Sequence, residues 1–494
     1  MFLNKLLENI ETEEVFGSCD IDIKGLSYDS RKIEDGYMFF ALNGTHTDGA
    51  KFVNDAIAKG AVCVVSCSKI ENCNITNVVV KDITKVMADI AAKFYGYPDK
   101  KLFIIGVTGT NGKTSITYML ESILKKLSID IGVIGTITYR YANTVISAPN
   151  TTPQSLDLFK MMAEMVESKI KYLIMEVSSH SLVLGRILNI EFDVAVFTNL
   201  TQDHLDFHKN MENYFSAKKI LFTGLSNNLK NNKKFAIINT DDFYGRKLFE
   251  DKDIQSEKIS YSIKEKVGKI YACAEEIVLN SKESSFNLIS SFGNKKLSVS
   301  QIGLHNIYNL LAVFCICSAI GIGFDAITEN FKYITGAPGR LDRIDTGKDF
   351  SVVVDYAHTD DALKNVISAL KNLNPSRIIT VFGCGGNRDK TKRPKMAKAA
   401  CSLSDYVFIT SDNPREENPV DIIKDVEQGA IETKRNNYKI VVDRKDAICD
   451  AIKFAKKGDV VLIAGKGHEN YQIVGTKKFH FDDKETALEI LNNM

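Results

Sequence analysis

The sequence predicts an α/β fold of three domains, built on mostly parallel sheets whose strands are joined by helices. The chain has 494 residues, too many for one hydrophobic core and enough for about three domains of ordinary size. Strand-like apolar runs alternate with helix-like ones along the chain, which is the pattern of parallel sheets with crossover helices. Polar or glycine-rich residues follow each run, at the strand ends where such sheets bind ligands.

The strand-like runs fall into a central and a C-terminal region. They read KYLIMEV, FDVAVFTNL and KKFAIINTDD in the first region and FSVVVDYAH, SRIITVFGCGG, DYVFITSDN and DVVLIAGKG in the second. A short unit rich in β signals precedes them and closes near YGYPDK, and a Pro-Gly break in TGAPGRLDRI separates the two regions. We therefore expect domains at residues 1–98, 99–336 and 337–494.

Composition excludes several classes of protein. The 63 basic and 62 acidic residues give a net charge of +1, so there is no general electrostatic case for binding nucleic acid or an anionic membrane. No apolar run approaches the ~18 residues of a membrane span, and the N-terminal segment turns acidic too early for a signal peptide. The ten cysteines are scattered singly, which favours reduced, mostly buried thiols over a zinc site or disulfides. We expect a cytoplasmic protein.

The segment KLFIIGVTGTNGKTSITYMLESILKKL contains the first candidate site. Phe103–Val107 is predicted to form a buried strand, and apolar residues at helical spacing begin at Ile116. The intervening loop offers backbone amides at a helix N-terminus, where an anion is stabilised. A chance turn is the alternative, because the consensus glycine five positions before Gly112 is replaced by Val107. The predicted phosphate-binding residues are Thr108, Gly109, Thr110, Asn111, Gly112, Lys113 and Thr114.

Two of these side chains have specific predicted roles. Lys113 is expected to reach the β- and γ-phosphates, and the Thr114 hydroxyl is expected to hold Mg2+. Glu176 follows the strand KYLIMEV and lies on the same predicted sheet edge, so it would complete a magnesium site. His204 follows the next strand; it is softer than magnesium usually prefers, and a structural histidine capping a loop is its alternative interpretation.

Eleven short motifs occur in order along residues 108–469 and together resemble the Mur ligase family. They are TGTNGKT, NTTP, EVSSH-x-L-x-x-GR, TNLTQDHLDFH, a following A-K, H-N-x-x-N, APGR, DYAHT, FGCGGNRDKTKR, SDNPR and AGKGHE. TGTNGKT is the family's own variant of the phosphate-binding consensus, which accounts for Val107. The resemblance covers most of the chain.

The resemblance implies a fold and an activity. The fold has a small N-terminal α/β domain that binds a UDP-sugar, a central P-loop mononucleotide-binding parallel sheet with helices on both faces, and a C-terminal Rossmann-like domain that binds an amino acid. The activity is ATP- and Mg2+-dependent ligation in peptidoglycan precursor synthesis, through an acyl phosphate. The closest motifs are those of members that add meso-2,6-diaminopimelate to UDP-N-acetylmuramoyl-L-alanyl-D-glutamate. We expect these small molecules as substrates and the protein as a monomer.

The same resemblance implies a second metal held by His204 and a carbamylated lysine. The matching residue is Lys218 in YFSAKKILF, with Lys219 as the rival if the register slips by one. Taken alone, the sequence favours a surface lysine at this position. The implied catalytic set is Lys113, Glu176, His204 and Lys218.

Further residues are implied as ligand contacts. For the nucleotide they are His305, Asn306, Asn309, Arg340 and Asp355, with a helix cap as the alternative role of Asn306. For the UDP-sugar substrate they are Ser30, Thr151, Thr152, Ser178 and Arg186. A simple helix start with Pro153 at its first position is the alternative for the threonine pair. Leu184 stands where some relatives carry a glutamine, so the substrate contact of that glutamine is not expected in this chain.

The C-terminal motifs indicate which amino acid is added. Diaminopimelate carries a second carboxylate beside its far amine, so two arginines and one acid suit it, and bidentate recognition favours arginine over lysine. The predicted residues are Arg388, Asp412, Asn413, Pro414, Arg415, Gly465 and Glu469. A tight turn at Asn413-Pro414 is also expected. Asn418 stands where relatives often have an acid. The alternatives are a lysine-adding ligase of the same family and a non-catalytic nucleotide-binding switch.

Overall fold

A computed structural model describes residues 1–42, 48–226, 230, 232–345 and 347–494. The chain forms two compact units, one of Met1–Thr117 with Ser128–Ser260 and the other of Tyr118–Leu127 with Tyr261–Met494. The expected domain boundaries near residues 98 and 336 stay predictions. Within the described ranges, every helix is too short or too polar to cross a membrane.

The first unit contains two sheets with helices packed against them. Its helices are α1 (Leu3–Leu7), α2 (Val53–Ala58), α3 (Ile83–Phe94), the start of α4 (Lys113–Lys126), α5 (Ser155–Glu167), α6 (Ser179–Val183), α7 (Leu205–His208), α8 (Met211–Thr223) and α9 (Phe243–Glu250). Its strands are β1 (Glu14–Phe16), β2 (Gly25–Ser27), β3 (Tyr37–Phe40), β4 (Ala61–Ser66), β5 (Thr76–Val79), β6 (Phe103–Thr108), β7 (Ile131–Ile134), β8 (Thr138–Tyr141), β9 (Thr144–Ser147), β10 (Tyr172–Glu176), β11 (Val194–Phe197), β12 (Phe235–Asn239) and β13 (Glu257–Ser262).

The N-terminal sheet of this unit has the order β1-β5-β4-β3-β2, with β1 antiparallel and the others parallel. The central sheet runs β12-β11-β6-β10-β7-β8-β9, parallel from β12 to β7 and antiparallel beyond. Ile104, Ile105 and Val107 of β6 are all fully buried, although Ile104 points to the opposite face of the sheet from Ile105 and Val107. A parallel strand covered on both faces reads as such a continuous apolar run.

The second unit contains an antiparallel sheet, a mostly parallel sheet and a hairpin. Its helices are α10 (Leu304–Ala319), α11 (Phe324–Asn330), α12 (Asp360–Lys371), α13 (Lys392–Leu403), α14 (Pro419–Glu432), α15 (Arg444–Phe454) and α16 (Asp483–Asn492). Its strands are β14 (Ile270–Leu279), β15 (Ser284–Ser290), β16 (Gly293–Val299), β17 (Asp342–Ile344), β18 (Ser351–Asp355), β19 (Ile378–Cys384), β20 (Tyr406–Ser411), β21 (Tyr438–Ile440), β22 (Val460–Ala464), β23 (Tyr471–Val474) and β24 (Lys477–His480).

The parallel sheet of the second unit has helices on both faces. Its order is β17-β18-β22-β19-β20-β21, with only β17 antiparallel among these strands. Successive residues of a strand point to opposite faces. Val353 accordingly packs in a core with α12, α13 and α14, whereas Val352 and Val354 pack in a core with α15 and α16. This arrangement brings the ends of β19, β20 and β22 together at one edge.

Candidate active site

The loop between β6 and α4 has the backbone conformation of a phosphate cradle. Gly109 and Gly112 have φ angles of +144° and +92°, a region that favours glycine. A Cβ at Gly109 would lie 1.8 Å from Thr198 Oγ1, so no larger residue fits. The segment after β11 anchors the loop, because the amide of Asn111 donates to Asn199 Oδ1 at 3.0 Å. The predicted loop is therefore held rigidly at the start of α4.

Lys113 is the first residue of α4, at the mouth of this cradle. Its Nζ donates to the carbonyl oxygens of Gly109 and Thr110, at 2.9 and 2.8 Å. The ammonium therefore lies over the loop, next to the amides that a phosphate group would contact.

Thr114 and Glu176 are brought together as predicted. Strand β10 pairs with β6 in parallel, with Glu176 opposite Val107. The Thr114 hydroxyl donates to Glu176 Oε2 at 3.0 Å, and the amide and hydroxyl of Thr136 also donate to this carboxylate, at 2.9 and 3.0 Å. Glu176 is 1% exposed. The pair supplies the hydroxyl and carboxylate oxygens that magnesium prefers.

Lys218 is buried beside the cradle, so the interpretation as a surface lysine is wrong. Its side chain is 1% exposed, Nζ donates to the Gly109 carbonyl at 3.0 Å, and Nζ lies 4.6 Å from the centre of the Tyr214 ring. Burial, and secondly the charge of Lys113, hold the pKa of Lys218 well below its ordinary value. Lys219 instead pairs with Asp251 and Asp253, at 2.6 and 3.3 Å.

The spacing of apolar residues in α8 indicates that Lys218 is buried. The buried side chains of α8 include Tyr214, Ala217, Lys218, Leu221 and Phe222, at the three- and four-residue steps of one helix face. Lys218 therefore occupies a position on the apolar stripe, and Lys219 does not.

His204 lies at the N-terminal end of α7 with a φ angle of +52°. Its ring makes no side-chain capping bond to the helix; Nε2 lies 3.5 Å from Asp203 Oδ2, and the ring is 6.2 Å from that of Tyr214. The His204 side chain therefore does not cap α7, and its role as a metal ligand stays a prediction. His204 and Lys218 both flank Tyr214.

The residues predicted for the UDP-sugar substrate are partly clustered. Thr152 Oγ1 donates to the Glu176 carbonyl at 2.8 Å and accepts from the Ser178 amide at 3.1 Å, while Arg186 Nη1 donates to the Thr152 carbonyl at 3.0 Å. Thr151 Oγ1 lies 3.1 Å from Thr136 Oγ1.

Residues 151–153 precede helix α5 but do not begin it. Helix α5 begins at Ser155 with Gln154 as its N-cap, so the expectation of Pro153 at the first helical position is wrong. Ser30 begins a short 3-10 helix and is 8% exposed. Leu184 is 41% exposed.

In the second unit, one cavity of about 200 Å³ collects most of the predicted amino-acid-binding residues. Arg388, Asp412, Asn413, Arg415, Gly465 and Glu469 line it. They follow β19, β20 and β22, which are neighbours in the sheet. Pro414 does not line this cavity; its carbonyl accepts from the Glu417 amide at 3.1 Å, so a turn over residues 414–417 follows the expected position at Asn413-Pro414.

Polar contacts hold this cavity in shape. Asn413 Nδ2 donates to Glu469 Oε2 at 3.0 Å, and Arg415 Nη1 donates to the Gly386 carbonyl at 2.8 Å. Lys466, which is not among the predicted residues, is fully buried and donates to Asn413 Oδ1 at 3.1 Å. It stands within the motif AGKGHE, so its position in the motif was the available signal.

The residues predicted for the nucleotide lie in the second unit. Helix α10 begins at Leu304 with Gly303 as its N-cap, so the alternative role of Asn306 as a helix cap is wrong. Asn306 instead donates to the Ile302 carbonyl at 2.9 Å and accepts from Asn309 Nδ2 at 3.1 Å. His305 is the second residue of the helix.

Arg340 lies just before β17, and Asp355 is the last residue of β18. The Arg340 guanidinium lies 4.8 Å from the centre of the Tyr356 ring. Asp355 accepts hydrogen bonds from the amides of Leu341 and Ala357, at 2.7 and 2.9 Å, while burial raises its pKa. The carboxylate therefore fixes the two chain segments that meet there.

Three family models match successive segments of this chain. Residues 22–95, 107–317 and 339–467 match family models described as the Mur ligase family catalytic domain, the Mur ligase middle domain and the Mur ligase glutamate ligase domain. The chain is 44% identical over 499 residues to UDP-N-acetylmuramoyl-L-alanyl-D-glutamate--2,6-diaminopimelate ligase 1 of Clostridium acetobutylicum, with 100% of both chains covered. The chain belongs to the Mur ligase family.

Other members are similar over the whole length. A ligase of Fusobacterium nucleatum, also named for 2,6-diaminopimelate, is 48% identical, with 96% of this chain and 95% of that protein covered. A solved structure of an enzyme with this name is 32% identical, with a TM-score of 0.73 and 100% and 99% of the chains covered. A MurF ligase of Thermotoga maritima in complex with ADP shares the fold, with a TM-score of 0.60, 17% identity and coverage of 95% and 96%. The predicted three-domain α/β fold of Mur ligases is confirmed.

The residues of this Mur ligase fit one magnesium ion as they stand, and they fit a second ion only if Lys218 is carbamylated. Thr114 and Glu176 form a buried oxygen pair beside the phosphate cradle. Among the described residues, no group of three His, Cys, Asp or Glu side chains is arranged to hold a metal. A second ion next to His204 therefore needs a further anionic donor, which a carbamylated Lys218 would supply.

Proposed function

We propose that this Mur ligase uses ATP to join meso-2,6-diaminopimelate to the D-glutamate of UDP-N-acetylmuramoyl-L-alanyl-D-glutamate. The observation that carries the choice of amino acid is the cavity of about 200 Å³ in which Arg388, Arg415 and Glu469 converge. Relatives with this name, 40% to 48% identical across nearly the whole chain, support the same reaction. The product is a precursor for peptidoglycan synthesis and cell-wall growth.

The first chemical step brings two anions together. The free carboxylate of the dipeptide attacks the γ-phosphate of ATP, which gives an acyl phosphate and releases ADP. Two unit charges about 4 Å apart repel by roughly 4 kcal/mol at an effective dielectric of 20, so the site must concentrate positive charge. Lys113 and the amides of the cradle supply it at fixed positions, without reorganising during the reaction. Magnesium, held by Thr114 and Glu176, would supply further charge stabilisation.

The second step consumes the acyl phosphate. The amine of diaminopimelate attacks the acyl carbon, the new amide bond forms and phosphate leaves. The paired guanidinium groups of Arg388 and Arg415 suit the far carboxylate of the amino acid, because arginine binds carboxylates bidentately. Glu469, oriented by Asn413, suits the far ammonium. L-Lysine lacks the far carboxylate and leaves these guanidinium groups without a substrate partner.

We also propose that Lys218 is carbamylated. A neutral amine is the form that combines with carbon dioxide, and burial favours that form by lowering the pKa of Lys218. The carbamate is an anion, and with His204 it would hold a second magnesium ion.

The remaining predicted contacts extend this proposal. His305, Asn306, Asn309, Arg340 and Asp355 are proposed for the nucleotide of ATP, and Ser30, Thr151, Thr152, Ser178 and Arg186 for the UDP-sugar substrate. The three matched segments support domain boundaries near residues 98 and 336. A cytoplasmic location and a monomeric state stay predictions.

The test supplies purified protein with ATP, Mg2+ and UDP-N-acetylmuramoyl-L-alanyl-D-glutamate, and then either meso-diaminopimelate or L-lysine. Phosphate release and the mass of the nucleotide product are measured. We expect a tripeptide product and stoichiometric phosphate only with diaminopimelate. Equal use of lysine would favour the lysine-adding alternative, and ATP binding without product would favour the non-catalytic switch.

A further inference from the structure

A second cavity, of about 570 Å³, lies in the first unit. Its walls come from the chain after α1, the end of α3, the residues Tyr97, Asp99 and Lys100, the region 182–192 and the end of α8. None of the described residues that line it belongs to the sets proposed above for ATP, magnesium, diaminopimelate or the UDP-sugar substrate. Its volume is in the range of pockets that hold drug-sized molecules.

Most of the cavity wall is apolar. Leu182, Phe192 and Leu221 form buried parts of it, with exposures of 6%, 5% and 2%. At its rim, Leu188 and Ile220 are 39% and 46% exposed. Large apolar side chains left exposed around a concave pocket indicate a surface that an apolar group covers.

One buried carboxylate in the wall lacks a full set of partners. Asp99 lines the cavity and is 2% exposed. Its Oδ2 accepts a long hydrogen bond of 3.4 Å from the Glu191 amide, whereas Oδ1 has no hydrogen-bond partner among the described groups. A buried polar group without a partner costs about 1–3 kcal/mol, and more when it is charged. Burial raises the pKa of Asp99 accordingly.

The nearby lysines are engaged elsewhere. Lys230 Nζ donates to Asp193 Oδ2 at 2.8 Å, and Lys234 lies 2.9 Å from Glu191 and 3.0 Å from Asp193. Lys93 Nζ, in the cavity wall, donates to three backbone carbonyls at the end of α1.

Lys100, the remaining basic residue of the wall, lies over the Tyr97 ring at 4.4 Å. No ion pair to Asp99 is formed within the described parts of the chain. The cavity wall thus contains a buried carboxylate without a full set of partners, next to apolar side chains.

We propose that this cavity is a binding site for a small organic ammonium compound with an apolar body. The ammonium group donates to Asp99, and the apolar body packs against Leu182, Phe192 and Leu221 and covers Leu188 and Ile220. The site is separate from the catalytic residues, but its wall includes Gly185 and Ile187, the two chain neighbours of Arg186. A compound bound there contacts the segment that holds the Arg186 guanidinium.

The test compares two probes of the same shape, 4-phenylbutylamine and 4-phenylbutan-1-ol, by calorimetry with the full chain near neutral pH. A charge-assisted hydrogen bond contributes about 1.5–3 kcal/mol, so the amine is expected to bind at least about tenfold more tightly than the alcohol. Equal affinities, or no binding of the amine up to about 1 mM, would overturn the proposal.

Two carboxylate variants distinguish Asp99 from its surroundings. Asp99→Asn is expected to remove the advantage of the amine over the alcohol. Asp89→Asn is the matched control, because Asp89 lines the same cavity but already accepts from Asn189 Nδ2 at 2.6 Å. The control is expected to keep the advantage, and its loss there would contradict the assignment to Asp99.

A variant at the rim avoids any effect of Asp99→Asn on folding. Ile220→Arg places a cation at the exposed mouth and leaves the buried wall intact. We expect it to weaken the amine at least about fivefold relative to the alcohol. Unchanged amine affinity in a folded Ile220→Arg protein, judged by its thermal unfolding, would show that the amine binds elsewhere.

Discussion

Replacement of Arg415 by alanine tests amino-acid recognition most directly. Arg415 lines the cavity of about 200 Å³ in the second unit, and its Nη1 donates to the Gly386 carbonyl at 2.8 Å. Its backbone has a φ angle of +52°, and its amide donates to the Ile473 carbonyl at 3.0 Å. Alanine keeps the backbone amide and its hydrogen bond, and a positive φ angle strains alanine as much as arginine. Neither the hydrogen bond nor the backbone strain therefore differs between the variant and the natural protein. The variant therefore removes the guanidinium alone.

The expected magnitude follows from the lost contact. A hydrogen bond between charged groups contributes about 1.5–3 kcal/mol, which corresponds to roughly a ten- to 150-fold fall in kcat/KM for diaminopimelate. Arg415→Lys keeps the charge but loses the bidentate geometry, so its kcat/KM is expected to lie between those of Arg415→Ala and the natural protein. The KM for ATP is expected to stay within about twofold.

The assay is phosphate release at saturating ATP and UDP-sugar substrate, with diaminopimelate varied. Arg435→Ala is the matched control, since Arg435 donates to the carbonyls of Cys401 and Ser402, away from the cavity. Unchanged kinetics for diaminopimelate in Arg415→Ala would remove this residue from the binding site and refute the reasoning from the cavity.

Three further predictions concern the metal sites and an ion pair. Lys218→Arg cannot form a carbamate, so we expect its kcat to fall about a hundredfold or more, and we expect added acetate to restore part of the activity of Lys218→Ala. With 13C-labelled bicarbonate, a carbamate signal is expected from the natural protein and not from Lys218→Arg. Full activity of Lys218→Arg would contradict the carbamate proposal. Glu176→Gln removes a proposed magnesium ligand and should raise the Mg2+ concentration for half-maximal activity at least about tenfold, measured by titration, whereas an unchanged requirement would exclude Glu176 as a ligand. The Arg393 guanidinium and the Asn387 amide hold the pKa of Glu417 at about 2, below its ordinary value of about 4.3. The ionised Glu417 therefore stabilises the folded protein fully at pH values above about 4.3, and this contribution to the free energy of unfolding is lost as the pH falls towards 2. Urea unfolding between about pH 5 and pH 2 should accordingly show a steeper loss of stability in the natural protein than in Glu417→Gln, and parallel curves would contradict this.

Local patterns in the chain predicted much of the fold. The strand predicted at Phe103–Val107 is β6, and the runs KYLIMEV and DVVLIAGKG contain β10 and β22. These strands were predictable because a short, continuous run of apolar residues bounded by polar residues or glycine is typical of a strand that is buried on both faces. The position of Pro153 relative to α5 was not predictable, because the first residue of a helix depends on the path by which the chain enters it.

The candidate site was predicted by residue type but not by contact. The sequence marked Lys218 only through resemblance and favoured an exposed side chain, whereas the helix packs it into the interior. Lys466 and Thr136 were not selected, although each holds a predicted residue by a direct hydrogen bond. Such supporting contacts join distant segments, and no local pattern records them.

The sequence by itself determined the α/β class, the phosphate-binding loop and the order of the motifs, because these depend on local periodicity and on residue types at short spacing. Tertiary structure alone decided that Thr114 touches Glu176 and that the chain ends of β19, β20 and β22 surround one cavity. It also left Asp99 with an unused oxygen beside an apolar cavity. The reason is physical: strand order and burial are set by packing of the whole chain, so contacts across 62 residues, as between Thr114 and Glu176, arise only when the sheet forms.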